Sequence, residues 1–210
     1  MSLHDLPPHL AGVRDYYSAK IEEHGPSFKG VDWGSQLKHE ERFRQLIRGV
    51  AKDDFSILDL GCGYGALSDF LAAAGHQFRY LGIDVSEPMI RQARLLHGES
   101  PARRFEIGTA PRAGFDYVVA SGLFNVMSGA READWERYVR DTMTAMFTSC
   151  QKMCAFNFLT SYADRKAPDL YYANPSAMLA FCIETMSKNV RLAHHYGIWD
   201  FTLQVYKDDA

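Results

Sequence analysis

Asp59, Gly61, Gly63 and Gly65 fall at alternate positions in the stretch 57–71, ILDLGCGYGALSDFL, and a second acid, Asp84, closes the run FRYLGID. Glycines at this spacing let the backbone turn sharply and leave no Cβ between the chain and a ligand. Cys62 lies inside the turn, where its backbone matters more than its thiol. A carboxylate about twenty residues beyond such a turn can accept both hydroxyls of a ribose, although an aspartate there can also simply cap a turn. The chemistry these types and spacings offer is capture of a nucleoside, helped by the free N–H groups and positive dipole character of a helix start.

The elements around these residues must hold them in place. Ile57, Leu58 and Leu60 form a short apolar run, as in a strand buried on both faces. Ala66, Leu67, Phe70, Leu71 and Ala74 follow at helical spacing, so the stretch reads as strand, glycine turn, helix. Phe78 to Asp84 is a second strand. Ser86 then suits a helix N-cap and Pro88 the first turn, ahead of a buried stripe through Met89, Ile90, Ala93 and Leu96.

Two ligand classes fit these glycines. Gly61, Gly63 and Ala66 satisfy the dinucleotide pattern G-x-G-x-x-G/A, which leaves a nicotinamide oxidoreductase as an alternative. Asp59, Gly61, Gly63 and Gly65 also satisfy D-x-G-x-G-x-G, which resembles motif I of the class I S-adenosylmethionine-dependent methyltransferases. The resemblance extends over about residues 55–207. Residues 189–207, NVRLAHHYGIWDFTLQVYK, read as two strands flanking Gly197, and the family's sheet closes with such an antiparallel hairpin. The wording around DLYYANP and in this tail is similar to a subgroup of small bacterial-type methyltransferases. A nicotinamide dehydrogenase usually needs a further substrate domain, for which little chain remains. A module that binds the cofactor without turnover is the third reading.

The resemblance implies S-adenosyl-L-methionine as cofactor and direct in-line methyl transfer to a small molecule. It places cofactor contacts at Asp59, Gly61, Cys62, Gly63, Asp84, Val85, Met89, Thr109 and Ser121. Members of the family often carry Gly-Asp after the third strand, the Asp reaching the adenine amino group. This chain has Gly108-Thr109, so a hydroxyl or the backbone must serve. The GLFNV loop after the fourth strand, FDYVVAS, contacts the methionyl part and often the substrate in that family, which brings in Ser121, Phe124 and Asn125.

Residues 1–52 read as a helical cap and 53–210 as a Rossmann-like core within one domain. The core is expected to be a doubly wound α/β structure with a seven-stranded, mostly parallel sheet and an antiparallel last strand. Helices ahead of the first strand commonly cover the sheet edge where a cofactor binds. Val31, Asp32 and Trp33, in the Gly-rich break between two such helices, read either as a lid or as an anchored loop. Arg42 reads as part of a solvated helix face, with pairing to a ligand carboxylate as the alternative. A helix over 132–151 buries Trp135, Tyr138, Val139 and Met143, and a fifth strand follows at 153–159. The next stretch, TSYADRKAPDLYYANP, is long for a loop without function, and Tyr162, Tyr171 and Tyr172 are candidate walls of a substrate pocket. Asn174-Pro175 reads as the cap and first residue of the next helix. His194 and His195 are candidate bases on chemical grounds, but strand alternation points them to opposite faces, and no base is assigned.

Composition narrows the field. The chain has 210 residues, 47% hydrophobic and 13% aromatic, enough for one sizeable core. A net charge of -3 gives no reason to expect a nucleic-acid surface. No apolar run is long enough for a membrane span and the first ten residues lack a secretory pattern, so a cytoplasmic monomer or homodimer is expected. Cys62, Cys150, Cys154 and Cys182 form no C-x-x-C pair, and no metal site is expected.

Overall fold

The computed structural model describes residues 6–207. The first five residues of the N-terminal reading, and residues 208–210 of the expected domain, lie outside it.

Two helices, α1 (Pro8–His24) and α2 (Gln36–Leu46), precede the first strand. Then come β1 (Phe55–Leu60), α3 (Ala66–Ala73), β2 (Phe78–Asp84), α4 (Glu87–His97), β3 (Arg103–Ile107) and β4 (Phe115–Ala120). The chain continues through α5 (Glu132–Ser149), β5 (Cys150–Thr160), β6 (Tyr172–Ala173), α6 (Pro175–Thr185), β7 (Val190–Ala193) and β8 (Asp200–Tyr206). The strands lie in the order β3-β2-β1-β4-β5-β8-β7, with β6 paired to β5. Strands β1 to β5 are parallel, and β8 slots in antiparallel between β5 and β7.

Every residue of β1 is buried, as its apolar run requires. Neighbouring residues feed opposite cores, because a strand's side chains alternate. Leu58 and Leu60 join Val139 and Met143 of α5 on one face. Phe55 and Ile57 join Phe43 of α2, Leu67 of α3 and Ile90 of α4 on the other. The helix starts follow their capping residues. Ser86 Oγ accepts from the Met89 N–H at 3.3 Å, and Asn174 Oδ1 accepts from the Ala177 N–H at 3.1 Å.

The sheet has one strand more than the seven expected. Strand β5 outruns β4, whose pairing stops at Ala120 opposite Phe156. The backbone of Leu159 and Thr160 is left open on that side, and β6 pairs with it. Buried peptide groups need partners, and the tyrosine-rich segment supplies them.

The reversal of strand order between β1 and β4 opens a crevice at the C-terminal ends of the strands, where open α/β sheets bind ligands. Helix α2 packs on β5 and β8, so the N-terminal segment is carried across to the same end.

Candidate active site

At this crevice lies a cleft lined by residues from both the sheet ends and the N-terminal helices. Its floor is the turn after β1. Gly61, Gly63 and Gly65 all have positive φ, at 76°, 54° and 83°. A Cβ on Gly61 would come within 2.9 Å of Leu123, and one on Gly63 within 3.0 Å of Val31. The turn is tied to β2 by Gly61 N–H, which donates to Ile83 O at 2.7 Å.

Two carboxylates face this floor. Asp84 is half-buried and accepts one backbone bond on each oxygen, from Gly63 N–H and from Ser86 N–H, both at 2.8 Å. Each oxygen therefore keeps a lone pair for a ligand. Asp59 is 2% exposed. Its Oδ2 accepts from the Tyr80 hydroxyl at 2.7 Å, while its Oδ1 is buried with no partner among the described residues. Burial pushes the Asp59 carboxyl up to about 7, against the pull of the Tyr80 hydrogen bond. Burial also raises Asp84, and the backbone N–H groups of Ser86, Gly63 and Val85 oppose this.

The wall after β4 is fixed by a residue that the apolar run MCAFNFL hides. Asn157 is 1% exposed. Its Oδ1 accepts from Gly122 N–H at 2.8 Å, and its Nδ2 donates to Ser121 Oγ at 3.4 Å. A lone amide inside an otherwise apolar strand is the signal that points to it.

The roof comes from the segment between α1 and α2. Asp32, at φ 60°, accepts from the Tyr16 hydroxyl at 2.6 Å and from Lys20 Nζ at 2.8 Å. These bonds tie the segment to α1. Val31 and Trp33 reach over the glycine turns, and a Cβ on Gly122 would meet the Trp33 ring at 2.5 Å. Arg42 lies behind that ring, its guanidinium carbon 3.7 Å from the ring centroid. The sequence reading put Arg42 on a solvated face. It is instead 5% exposed, ion-paired with Asp200 at the start of β8, and donates to Lys38 O at 2.8 Å. Strand β8 brings an acid beside α2 that local periodicity cannot reveal.

All nine residues expected around the cofactor line the cleft: Asp59, Gly61, Cys62, Gly63, Asp84, Val85, Met89, Thr109 and Ser121. Of the six expected around a substrate, only Trp33 does. Phe124 is fully buried, stacked on Phe158 with centroids 5.1 Å apart, and its carbonyl accepts from Trp135 Nε1. Asn125 is buried behind Gly122, and its carbonyl accepts from Tyr171 N–H at 2.8 Å. Tyr171 belongs to the core beneath α5. The Tyr172 hydroxyl accepts from Ala167 N–H, and Tyr162 is 63% exposed. The tyrosine-rich segment thus buttresses the loop after β4 from behind. His194 and His195 follow the end of β7 and are exposed, not set in a strand.

The cleft also gains residues that the sequence reading did not assign to a site. Val13 and Tyr17 come from α1, His39 and Phe43 from α2, and Trp135 and Tyr138 from α5. His39, Phe43 and Leu46 stand at i, i+4 and i+7, so the apolar stripe of α2 begins one turn earlier than its aliphatic residues show.

A parallel sheet that reverses at β1, with a glycine cradle and an acid ending β2, defines a nucleoside-binding α/β fold of the Rossmann-like type. Comparison with known proteins narrows this. Residues 58–147 match the model of a methyltransferase domain family. A protein of Mycobacterium tuberculosis described as a methyltransferase, Rv1506c, is 42% identical over 159 residues, covering 75% of this chain and 96% of its own. A trans-aconitate 2-methyltransferase of Rhodopseudomonas palustris is 34% identical over 102 residues, 45% of this chain and 40% of that one. Among solved structures, magnesium protoporphyrin IX methyltransferase from Synechocystis PCC 6803 with bound S-adenosylmethionine superposes with a TM-score of 0.68. That match covers 97% of this chain and 99% of the other at 14% identity, a likeness of fold. The chain belongs to the class I S-adenosylmethionine-dependent methyltransferases.

Proposed function

We propose that this methyltransferase acts on a small molecule held between the cofactor cradle and the α1–α2 roof. The two acids across the glycine turn carry the reading. Asp84 keeps a free lone pair on each oxygen, which suits paired ribose hydroxyls. Asp59 Oδ1 is a buried oxygen without a partner among the described residues, and a nearby positive charge favours the anionic form of such a carboxylate. A ligand with a ribose and a positive charge answers both, and S-adenosylmethionine carries both.

When bound, that cofactor supplies an electrophilic methyl group on a sulfonium. The chain supplies position. The bare turns at Gly61 and Gly63 admit the ligand's backbone contacts, Asn157 fixes the Ser121–Gly122 wall, and Trp33 with Val31 excludes water from above. Holding two reactants in line is worth roughly 7–11 kcal/mol in well-oriented pairs. Thr109, Val85 and Met89 are assigned to the adenosine side. We read 1–52 as the cap and 53–210 as the core, with a cytoplasmic setting that suits four free cysteines.

Isothermal titration tests the reading. S-adenosylhomocysteine is expected to bind the protein and NAD is not. Binding of NAD without any response to S-adenosylhomocysteine overturns it.

A further inference from the structure

Beyond the cradle, the cleft is lined mostly by apolar and aromatic side chains, as small-molecule sites are. The lining added by the roof and by α1, α2 and α5 is aliphatic and aromatic, with Val13, Tyr17, Trp33, Phe43, Trp135 and Tyr138 its main surfaces. Among the described residues lining the cleft, none is Lys or Arg, and the two formal anions are the carboxylates assigned to the cofactor. Arg42, one turn from His39 on α2, is held by Asp200 and the back of the Trp33 ring.

His39 breaks the apolar pattern. It is 4% exposed, and its ring lies between Trp33 and Phe43, with centroids 6.0 and 4.4 Å away. Its Nδ1 is buried with no partner among the described residues. An unmet buried ring nitrogen costs free energy unless a ligand or water meets it. Burial and the neighbouring Arg42 charge hold the imidazole down to about 3, so at neutral pH it is an uncharged hydrogen-bonding group. In that state it can meet one polar atom of a neutral molecule and offers no charge to an anion.

We propose that His39 is the acceptor-binding residue of this site, hydrogen-bonding the single polar group of an uncharged molecule with a planar aromatic body. The proposal rests on the methyltransferase reading above. Aromatic walls match such a body by stacking and edge contacts. A polycarboxylate meets no Lys or Arg side chain among the described lining residues to replace its water, and burying it beside Asp59 and Asp84 is strongly unfavourable.

The test uses the full chain loaded with S-adenosylhomocysteine, and titrates 2-naphthol, naphthalene and trans-aconitate into the wild type, His39→Phe and His39→Asn. Cofactor affinity is measured first in all three. If wild type fails to bind S-adenosylhomocysteine, the underlying reading falls, and the proposal with it. If it binds, the proposal stands or falls alone. The wild type is expected to bind 2-naphthol more tightly than naphthalene, and trans-aconitate weakest. His39→Phe keeps the ring but not the nitrogens, and is expected to lose about tenfold for 2-naphthol, the worth of one neutral hydrogen bond, with naphthalene unchanged. His39→Asn retains a polar atom and is expected to recover part of that loss. Failure of the wild type to bind 2-naphthol, tighter binding of trans-aconitate, or equal loss for naphthalene and 2-naphthol in His39→Phe overturns it. If His39→Phe does not fold, the wild-type preference between 2-naphthol and naphthalene together with the His39→Asn affinities decides.

Discussion

The two halves of the cleft are built by different means. The cradle half is mostly backbone: three left-handed glycines, a strand end and two acids, all within residues 59–84 and their immediate neighbours. The roof half is side chains from α1, the segment after it, α2 and α5, held by an ion pair to β8 and a salt-bridged aspartate. Backbone geometry tolerates few alternatives, so the first half is suited to a fixed ligand. Side chains can be exchanged without moving the sheet, so the second half can serve a varying one.

Breaking the roof should cost the most. Asp200→Asn leaves Arg42 buried without its anion, and loss of one partner of such a pair costs about 3–5 kcal/mol. Urea denaturation should show a drop of that size, while the variant that remains folded binds S-adenosylhomocysteine as wild type does. A cofactor affinity that falls with stability would mean the two halves are one unit.

The cradle should respond in the opposite way. Asp84→Ala is expected to weaken S-adenosylhomocysteine by about 1–3 kcal/mol through loss of hydrogen bonds to a charged group. An unchanged dissociation constant would remove Asp84 from the cofactor site.

The effect spread over the widest range of conditions is a pH dependence at Asp59. Its carboxyl is raised from 3.8 to about 7 by burial, so below about pH 7 the free protein holds it neutral. A cationic ligand prefers it ionised. S-adenosylmethionine should therefore bind more tightly as pH rises through about 7, and Asp59→Asn should flatten that dependence. The stability linkage has the other sign. With the folded value above the unfolded one, stability from this group is full below about pH 4 and lost as pH rises through 7. Thermal unfolding of the free protein should show that decline, and Asp59→Asn should lack it. A profile the same in both proteins would assign the titration elsewhere.

What could be read in advance divides along the same line. The cradle was legible because its signals are local: glycine supplies positive φ, and an acid at a strand end is marked by the strand itself. The nine residues expected there line the cleft together. Phe124 and the tyrosines of the segment before α6, expected around a substrate, do not line the cleft, because aromatic character does not say which way a loop side chain turns. Phe124 turned inward onto Phe158, and Tyr171 joined the core.

Sequence alone thus determined the order of strands and helices apart from β6, the hairpin that closes the sheet, and the site of the glycine turn, since each follows from the periodicity and backbone limits of a few adjacent residues. Tertiary structure alone decided that Arg42 meets Asp200 across 158 positions of chain, that Asn157 pins Gly122, and that His39 closes on the cleft. Those pairings depend on where α2 and β8 come to rest, and the resting place is set by the packing of the whole sheet.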